Sequence, residues 1–442
     1  MLLLSLYKFF RRLTIFICFF FYLYPVQFEY VPVSTRILLS IAGLVVLIFS
    51  ITKQASKSKD IFISRNLVRY VLPFASIIFV SGFSIVLNNS NDIEFIKYPL
   101  SLVFILLAGY FVHFIIKKVH NTITYKIVIS YIIAAVLVQI IISVIAFVSP
   151  AVNDALQSIQ NISDLDISKL EETTGLRLNG FGSTFFGAGI INGFALLSIA
   201  ALVKQKNNSR SKTIYLSFAF VVILALGSMM SRTTLVGGIL AILFLFIPAK
   251  KINKKIVKIK LRFFGYILLI PVLIIITVST LFPRFTQDLE TAAAFGFELF
   301  VNYYETGSFS TASTEATENM YVFPDNAKTY IIGDGHYYIK PGDPSAGYYK
   351  STDVGYLRLI YYFGIIGTII YFTLQYTAVI NALKSNPDDK TFRFYVLFIF
   401  FFCLITSLKG FTDLFFFVNL FAFNNYKIEN AETETSVALS PV

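Results

Sequence analysis

The stretch Thr213–Pro248, TIYLSFAFVVILALGSMMSRTTLVGGILAILFLFIP, decides the fold. Two apolar runs, 213–230 and 233–248, flank a turn of a few residues whose one charge is Arg232. A bilayer core about 30 Å thick takes about 20 apolar residues per helix, so the pair reads as a helical hairpin through a membrane. Outward from it, ten more such runs lie near 13–29, 36–52, 67–87, 97–116, 127–148, 184–203, 263–282, 354–383, 394–408 and 411–425. The chain therefore reads as an all-α polytopic membrane protein of about 12 transmembrane helices. At the first run and the last pair a reentrant segment would look the same. Composition agrees: of 442 residues 56% are hydrophobic and 14% charged, with mean hydropathy +0.72.

Short loops rich in Lys and Arg stay on the cytoplasmic side. The N-terminus (Lys8, Arg11, Arg12) and the loops 53–65, 117–126, 204–212, 250–262 and 384–393 hold 24 of the 37 basic residues. Both termini are expected in the cytoplasm and the long loops 149–183 and 283–353 outside. The organisation that follows is helices with short loops over 1–148, a first long external loop over 149–183, helices over 184–282, a large external loop over 283–353, helices over 354–425 and a cytoplasmic tail over 426–442. The net charge of +12 is then mostly the topogenic signal, aided by anionic headgroups, and calls for no nucleic acid. No small-residue cleavage site precedes Tyr24-Pro25-Val26, so the first helix is expected to stay uncleaved.

Several chemistries drop out. Cys18 and Cys403 both fall in apolar runs, which supports neither a disulfide nor a thiolate metal site. Two of the three histidines, His113 and His120, belong near the cytoplasmic end of the fourth span, so no His-based metal centre is expected. No internal repeat relates the two halves, and the centres of the spans are almost free of ionisable groups. Both features speak against an ion-coupled carrier.

The polar investment lies at the external ends of the spans. Arg232 is flanked by Ser231, Thr233 and Thr234. A snorkelling arginine that ends a helix reads the same way. The positive-inside rule disfavours an arginine on an external turn, however, and a guanidinium among hydroxyls suits a phosphate. Arg177 precedes the sixth span and is followed by Gly180, Gly182, Gly187, Gly189 and Gly193. Glycines at this density let backbones approach one another or a ligand, and the free amides of a nearby helix N-terminus favour an anion. Arg284, in Phe-Pro-Arg-Phe, sits where the ninth span emerges, and alone reads as an interfacial anchor.

The loop from 284 to 353 is long enough for a lid and holds Tyr303, Tyr304, Tyr321, Tyr330, Tyr337, Tyr338, Tyr348 and Tyr349. Tyrosines suit sugar rings, the headgroup zone or a local core. Gly333-Asp-Gly-His336 reads as a turn that exposes an imidazole. Lys409 and Asp413, four apart, read as a pair on one helix face.

In this order the residues resemble the superfamily of the O-antigen polymerases (Wzy) and O-antigen ligases. The resemblance covers roughly 170–370: Arg177 to Phe181 entering a helix, the turn Gly227 to Arg232, Arg284 opening a long loop, Gly333 and Gly335, then Asp353 to Leu357 with Gly364 and Gly367. Ligases carry a His-Asn pair where this chain has Thr352-Asp353, which favours polymerase over ligase. The Asn-Pro often found at the helix-opening segment is replaced by Ser183-Thr184.

The resemblance implies a GT-C-like fold and a glycosyl transfer at the periplasmic face of a bacterial inner membrane. The donor would be a growing glycan on undecaprenyl diphosphate, and the acceptor a hydroxyl of a lipid-linked repeat unit. Arg177, Arg232 and Arg284 would bind the diphosphate leaving group without metal or other cofactor. Asp353, ahead of His336 and then Glu171 and Glu172, would take the acceptor proton. Ser231, Thr233 and Arg358 would stand behind them, Arg358 pairing with Asp353 or with phosphate. A chain-length regulator and a flippase are the protein partners this implies. The alternatives are an O-antigen ligase acting on lipid A core and, in another class, a flippase for lipid-linked oligosaccharides. A flippase should carry cations in a central cavity and lack a long external loop, the reverse of this chain.

Overall fold

The computed structural model describes residues 2–423 apart from 59–64, 121–122, 163–166, 168–169, 171–172, 174, 184, 206, 249–253, 282, 312–313, 316–317 and 387. The described residues are helical, with short 3-10 turns and two isolated β-bridges. In chain order the helices are α1 (Leu2–Leu23), α2 (Thr35–Ser58), α3 (Arg65–Asn88), α4 (Glu94–His120), α5 (Tyr125–Val148), α6 (Pro150–Ser158), α7 (Phe185–Val203), α8 (Arg210–Met230) and α9 (Thr233–Phe246). They continue as α10 (Lys254–Leu281), α11 (Pro283–Gly296), α12 (Glu298–Thr306), α13 (Ala327–Ile332), α14 (Gly355–Ser385), α15 (Lys390–Thr406), α16 (Leu414–Phe417) and α17 (Asn419–Ala422).

Eight of the described helices, α2 to α5, α7, α8, α10 and α14, are long and apolar enough to cross a membrane. By length and hydropathy the chain is a multi-pass membrane protein. The difference from twelve has physical causes. Three charges, Lys8, Arg11 and Arg12, fall in the first half of α1, while α9 has 14 residues and α15 has 17. The last apolar run is not one helix but two single turns, α16 and α17. Asp413, just before α16, accepts from Tyr98 near the start of α4, whereas Asn419 accepts from Tyr70 near the start of the oppositely directed α3. Residues 413–422 thus pack against both α4 and α3. Their side chains Leu414 to Phe417 and Leu420 to Phe421 are all buried. Irregular backbone is tolerated at membrane depth where protein surrounds it.

α7 is the axis of the bundle, with 89% of its apolar window buried against 6% for α10 at the edge. A side chain on Gly189 of α7 would lie 2.5 Å from Ser231 Oγ, and one on Gly193 would strike the Phe402 ring. These glycines therefore serve close helix packing.

The two long loops meet at one end of the bundle, opposite the Lys- and Arg-rich connections. There the amides of Glu29 and Asn161 bond the carbonyls of Ile159 and Gln27. The amide of Leu178 reaches Met229 at 3.2 Å, and Tyr337 donates its amide to Asp92 at 2.8 Å. α14 breaks at Phe363 and Gly364, where Gly364 takes φ +68°. A side chain there would collide with the backbone of α13 at Ile331. The carbonyls of Tyr361 and Tyr362, released by the break, accept from the amides of Asp334 and Gly335 at 2.6 and 3.0 Å. The Gly333–Gly335 turn is thereby bolted to the bundle.

Candidate functional site

The α8–α9 turn, the start of α7 and the α11–α12 junction bring two arginines together. Arg232 opens α9; its Nε donates to the Phe295 carbonyl at 2.9 Å, its guanidinium pairs with Glu298, and it lies 4.3 Å over the Phe295 ring. Arg177, 55 residues earlier, lies 3.7 Å over Phe185 and 5.6 Å from the same Phe295 ring, and its Nε is buried with no hydrogen-bond partner. Burial first, then repulsion from Arg232, pulls Arg177 down to about 10, which leaves it charged at neutral pH. Burial also lowers Arg232, while Glu298 pushes it back up.

Two further charges belong to this group. Asp353 is half-buried immediately ahead of α14, and Lys409 follows α15. Lys409 is exposed as a residue, yet enough protein surrounds its ammonium to lower its pKa; Arg232 and Arg177 push it the same way and Asp353 opposes them. The group of Arg177, Arg232, Lys409, Glu298 and Asp353 carries a net positive charge on aromatic faces. Cations that repel one another are relieved by an anion; Glu298 and the Phe295 carbonyl already engage Arg232, whereas the cation–π contacts of Arg177 leave its Nε unpaired.

The chain was compared with family models, curated proteins and solved structures. Nothing matches.

The structure places Arg177, Arg232 and Asp353 at one end of the bundle. Arg284 lies in α11, with its side chain outside the described residues, as are Glu171 and Glu172. Ser231 and Thr233 wedge against Gly189 of α7, so their part is to fix the turn beneath Arg232. Arg358 pairs with aromatic rings: it donates to the Tyr337 hydroxyl at 3.2 Å and lies 4.0 Å over Tyr348 and 4.7 Å over Phe411. Buried to 5% exposure, it fastens the long loop to α14 in place of the expected pairing with Asp353.

His336 stacks its ring on Tyr349 at 5.2 Å and buries its Nδ1, while the residue as a whole stays half-buried. It lines a separate cleft with Asp325, Asp334 and Lys350, and neither Asp353 nor Arg232 lines that cleft. Of the eight loop tyrosines, Tyr337 and its partners Tyr338 and Tyr348 form a local core with Phe95 and Phe363, while Tyr304 stands 91% exposed. The Lys409–Asp413 spacing has no helix to act on, because residues 407–413 are turn and coil.

Phe185, Phe295 and Glu298 escaped the sequence reading. Phe185 and Phe295 are two among 48 phenylalanines, and Glu298 meets Arg232 only through tertiary structure.

Proposed function

We propose that the chain is a metal-independent glycosyltransferase of the bacterial inner membrane, acting at the periplasmic face as an O-antigen polymerase. It would transfer a growing glycan from undecaprenyl diphosphate to the terminal sugar of a lipid-linked repeat unit. The observation that carries this reading is the convergence of Arg177 and Arg232 on the Phe295 ring, with Lys409 within electrostatic reach of both arginines and of Asp353.

In the transfer, an acceptor hydroxyl attacks the anomeric carbon of the donor sugar. The new C–O bond forms as the bond from that carbon to the diphosphate oxygen breaks, and its electron pair leaves on undecaprenyl diphosphate. Arg177 and Arg232 meet the charge that grows on the leaving group, in a partly dry site where such donors act most strongly. The hydroxyl proton passes to Asp353, at the start of α14, whose charge acts on Lys409. Arg284 joins the first two arginines on the sequence reading. The apolar helices would carry the polyprenyl tail, which explains why the chemistry is housed in a membrane body.

The test is the surface glycan of a deletion strain complemented with Arg232→Ala, with the membrane level of the protein checked. Core with a single repeat supports a polymerase whose diphosphate sits at Arg232. A full ladder from the variant removes Arg232 from the site, and a deletion strain that keeps its ladder overturns the polymerase reading itself.

A further inference from the structure

The helix α12 wears its apolar face outward. Its sequence ELFVNYYET sets Phe300, Val301, Tyr303 and Tyr304 on one face and Glu298, Asn302 and Glu305 on the opposite stripe. In a water-facing subdomain the first face would pack inward. Here all four of its side chains are exposed, whereas Glu298 pairs with Arg232 and Asn302 donates to the Ser310 carbonyl at 2.9 Å. We infer that this aromatic face lies in the membrane interface, among the headgroups and first acyl carbons of the leaflet on the side of the long loops. The inference does not depend on the glycosyl transfer proposed above.

Three observations carry it. The first is the level of the helix. α10, a spanning helix by length and hydropathy, leaves Leu268, Ile275 and Ile276 exposed and ends at Leu281, two residues before α11 begins. At the far end of α11, a side chain on Gly296 would lie 3.0 Å from the backbone of Ser228 and Met229, in the last turn of α8. α11 therefore joins the ends of two spans, and α12, which starts two residues later, leaves from the membrane boundary rather than from above it.

The second is composition. Phe and Tyr suit a membrane interface, where a ring sits among acyl chains and a hydroxyl reaches the headgroups. The charges of α12, Glu298 and Glu305, both stand on the opposite stripe, so seating the aromatic face takes no charge into lipid.

The third is the way the helix ends. Gly307 takes φ +74° and its amide bonds the Tyr303 carbonyl, which turns the chain back. Phe309 then stacks on Tyr303 with ring centroids 4.0 Å apart, and it too is exposed. The turn adds a ring to the aromatic face instead of folding it under, and a contiguous apolar surface of this kind marks a place of contact. Lipid on that face and Arg232 on the other hold α12 from two sides. The carboxylate that pairs with Arg232 is thus carried on a helix whose seat is the membrane.

The chain contains no tryptophan, so one introduced on α12 is the sole indole to emit. The full chain is placed in phosphatidylglycerol–phosphatidylethanolamine nanodiscs, with or without acyl chains brominated just below the headgroups, and iodide serves as the aqueous quencher. Tyr304→Trp and Phe300→Trp, on the aromatic face, are compared with Glu305→Trp on the opposite stripe. All three positions are exposed, so none of the substitutions should disturb folding. An interfacial helix sinks its apolar face about 5–10 Å, so brominated lipid should quench the first two variants at least about 2-fold more than the third, and iodide should rank them the other way. Brominated lipid that quenches the first two no more than the third overturns the inference. Iodide then separates a helix in water, where it quenches them, from one covered by a second copy of the chain, where it does not.

Discussion

At the end of the bundle that carries the basic connections, Lys204 is 6% exposed and its ammonium donates to the carbonyls of Phe244 and Ile247 at 2.8 and 2.7 Å, 4.0 Å over the Phe244 ring. Lys260 caps the neighbouring Leu245 carbonyl. These are the orphan carbonyls at the C-terminal end of α9, and cations complete them. At the opposite end Arg177 and Arg232 are also partly buried and lie on rings; Arg232 is held by the Phe295 carbonyl and Glu298, but Arg177, which Arg232 repels, keeps a buried Nε with no partner. Nearness of a cation to a membrane boundary therefore says little about its role; the fate of its donors says more. The first arrangement is closed upon itself, and the second is open to an anion.

The largest effect should come from Arg232. Arg232→Ala is expected to lower glycan polymerisation by about 100-fold, the usual scale for removing one donor from a developing anion. Glu298→Gln separates this from a structural ion pair. If the Arg232–Glu298 contact only holds α12 down, both variants lose activity and membrane level together. If Arg232 serves the diphosphate, Glu298→Gln keeps activity within a few-fold, as judged by the glycan ladder at matched protein level.

Next comes Arg177→Lys, which keeps a charge but loses the planar stack on Phe185. Undecaprenyl diphosphate affinity should fall by about 10-fold, since a lysine replaces a fork of donors with one point charge. An unchanged affinity would mean that Arg177 contributes only long-range charge.

A smaller effect concerns pH. Burial, with Arg232 and Arg177, holds Lys409 below the ordinary lysine value of 10.5. Its charge is therefore lost at lower pH than usual, and affinity for the diphosphate should decline as pH rises through that range. Lys409→Arg should flatten the decline. A slope that persists in this variant would assign the titration elsewhere in the group, Arg177 first.

The smallest effect on binding belongs to the closed end. Lys204→Met should leave lipid affinity within about 2-fold and cost stability, on the order of 1–3 kcal/mol for carbonyls left unpaired. Burial and Lys260 bring Lys204 to about 8 in the folded protein, below the usual 10.5. Between those values the unfolded chain binds more protons than the folded one, so wild-type thermal stability should rise with pH across the window. Lys204→Met should remove that rise.

The same contrast explains what the sequence could disclose. Spans such as α5 and α7 are written in nearly continuous apolar runs, broken only by residues such as Gln139 and Asn192, and hydropathy finds them because lipid and core both favour apolar side chains. Arg232 was visible as a lone charge between two such runs. Hydropathy also reported 411–425 as a span, although the chain there forms two single turns, because a run buried in protein and a run facing lipid have the same composition. The break at Gly364 depends on α13 arriving from elsewhere in the chain, and so do the partners Phe295 and Glu298. His336 had the residue type of a base and the position of a turn; only the structure shows that it lines a cleft which neither Asp353 nor Arg232 lines.

The most direct measurement is the affinity of the full chain in nanodiscs for undecaprenyl diphosphate, set beside undecaprenol, for wild type, Arg232→Ala and Lys204→Met. The account predicts that wild type and Lys204→Met bind the diphosphate at least 10-fold more tightly than the alcohol, and that Arg232→Ala loses this preference. Equal binding of the two lipids by the wild type, or a preference that survives Arg232→Ala, would contradict it.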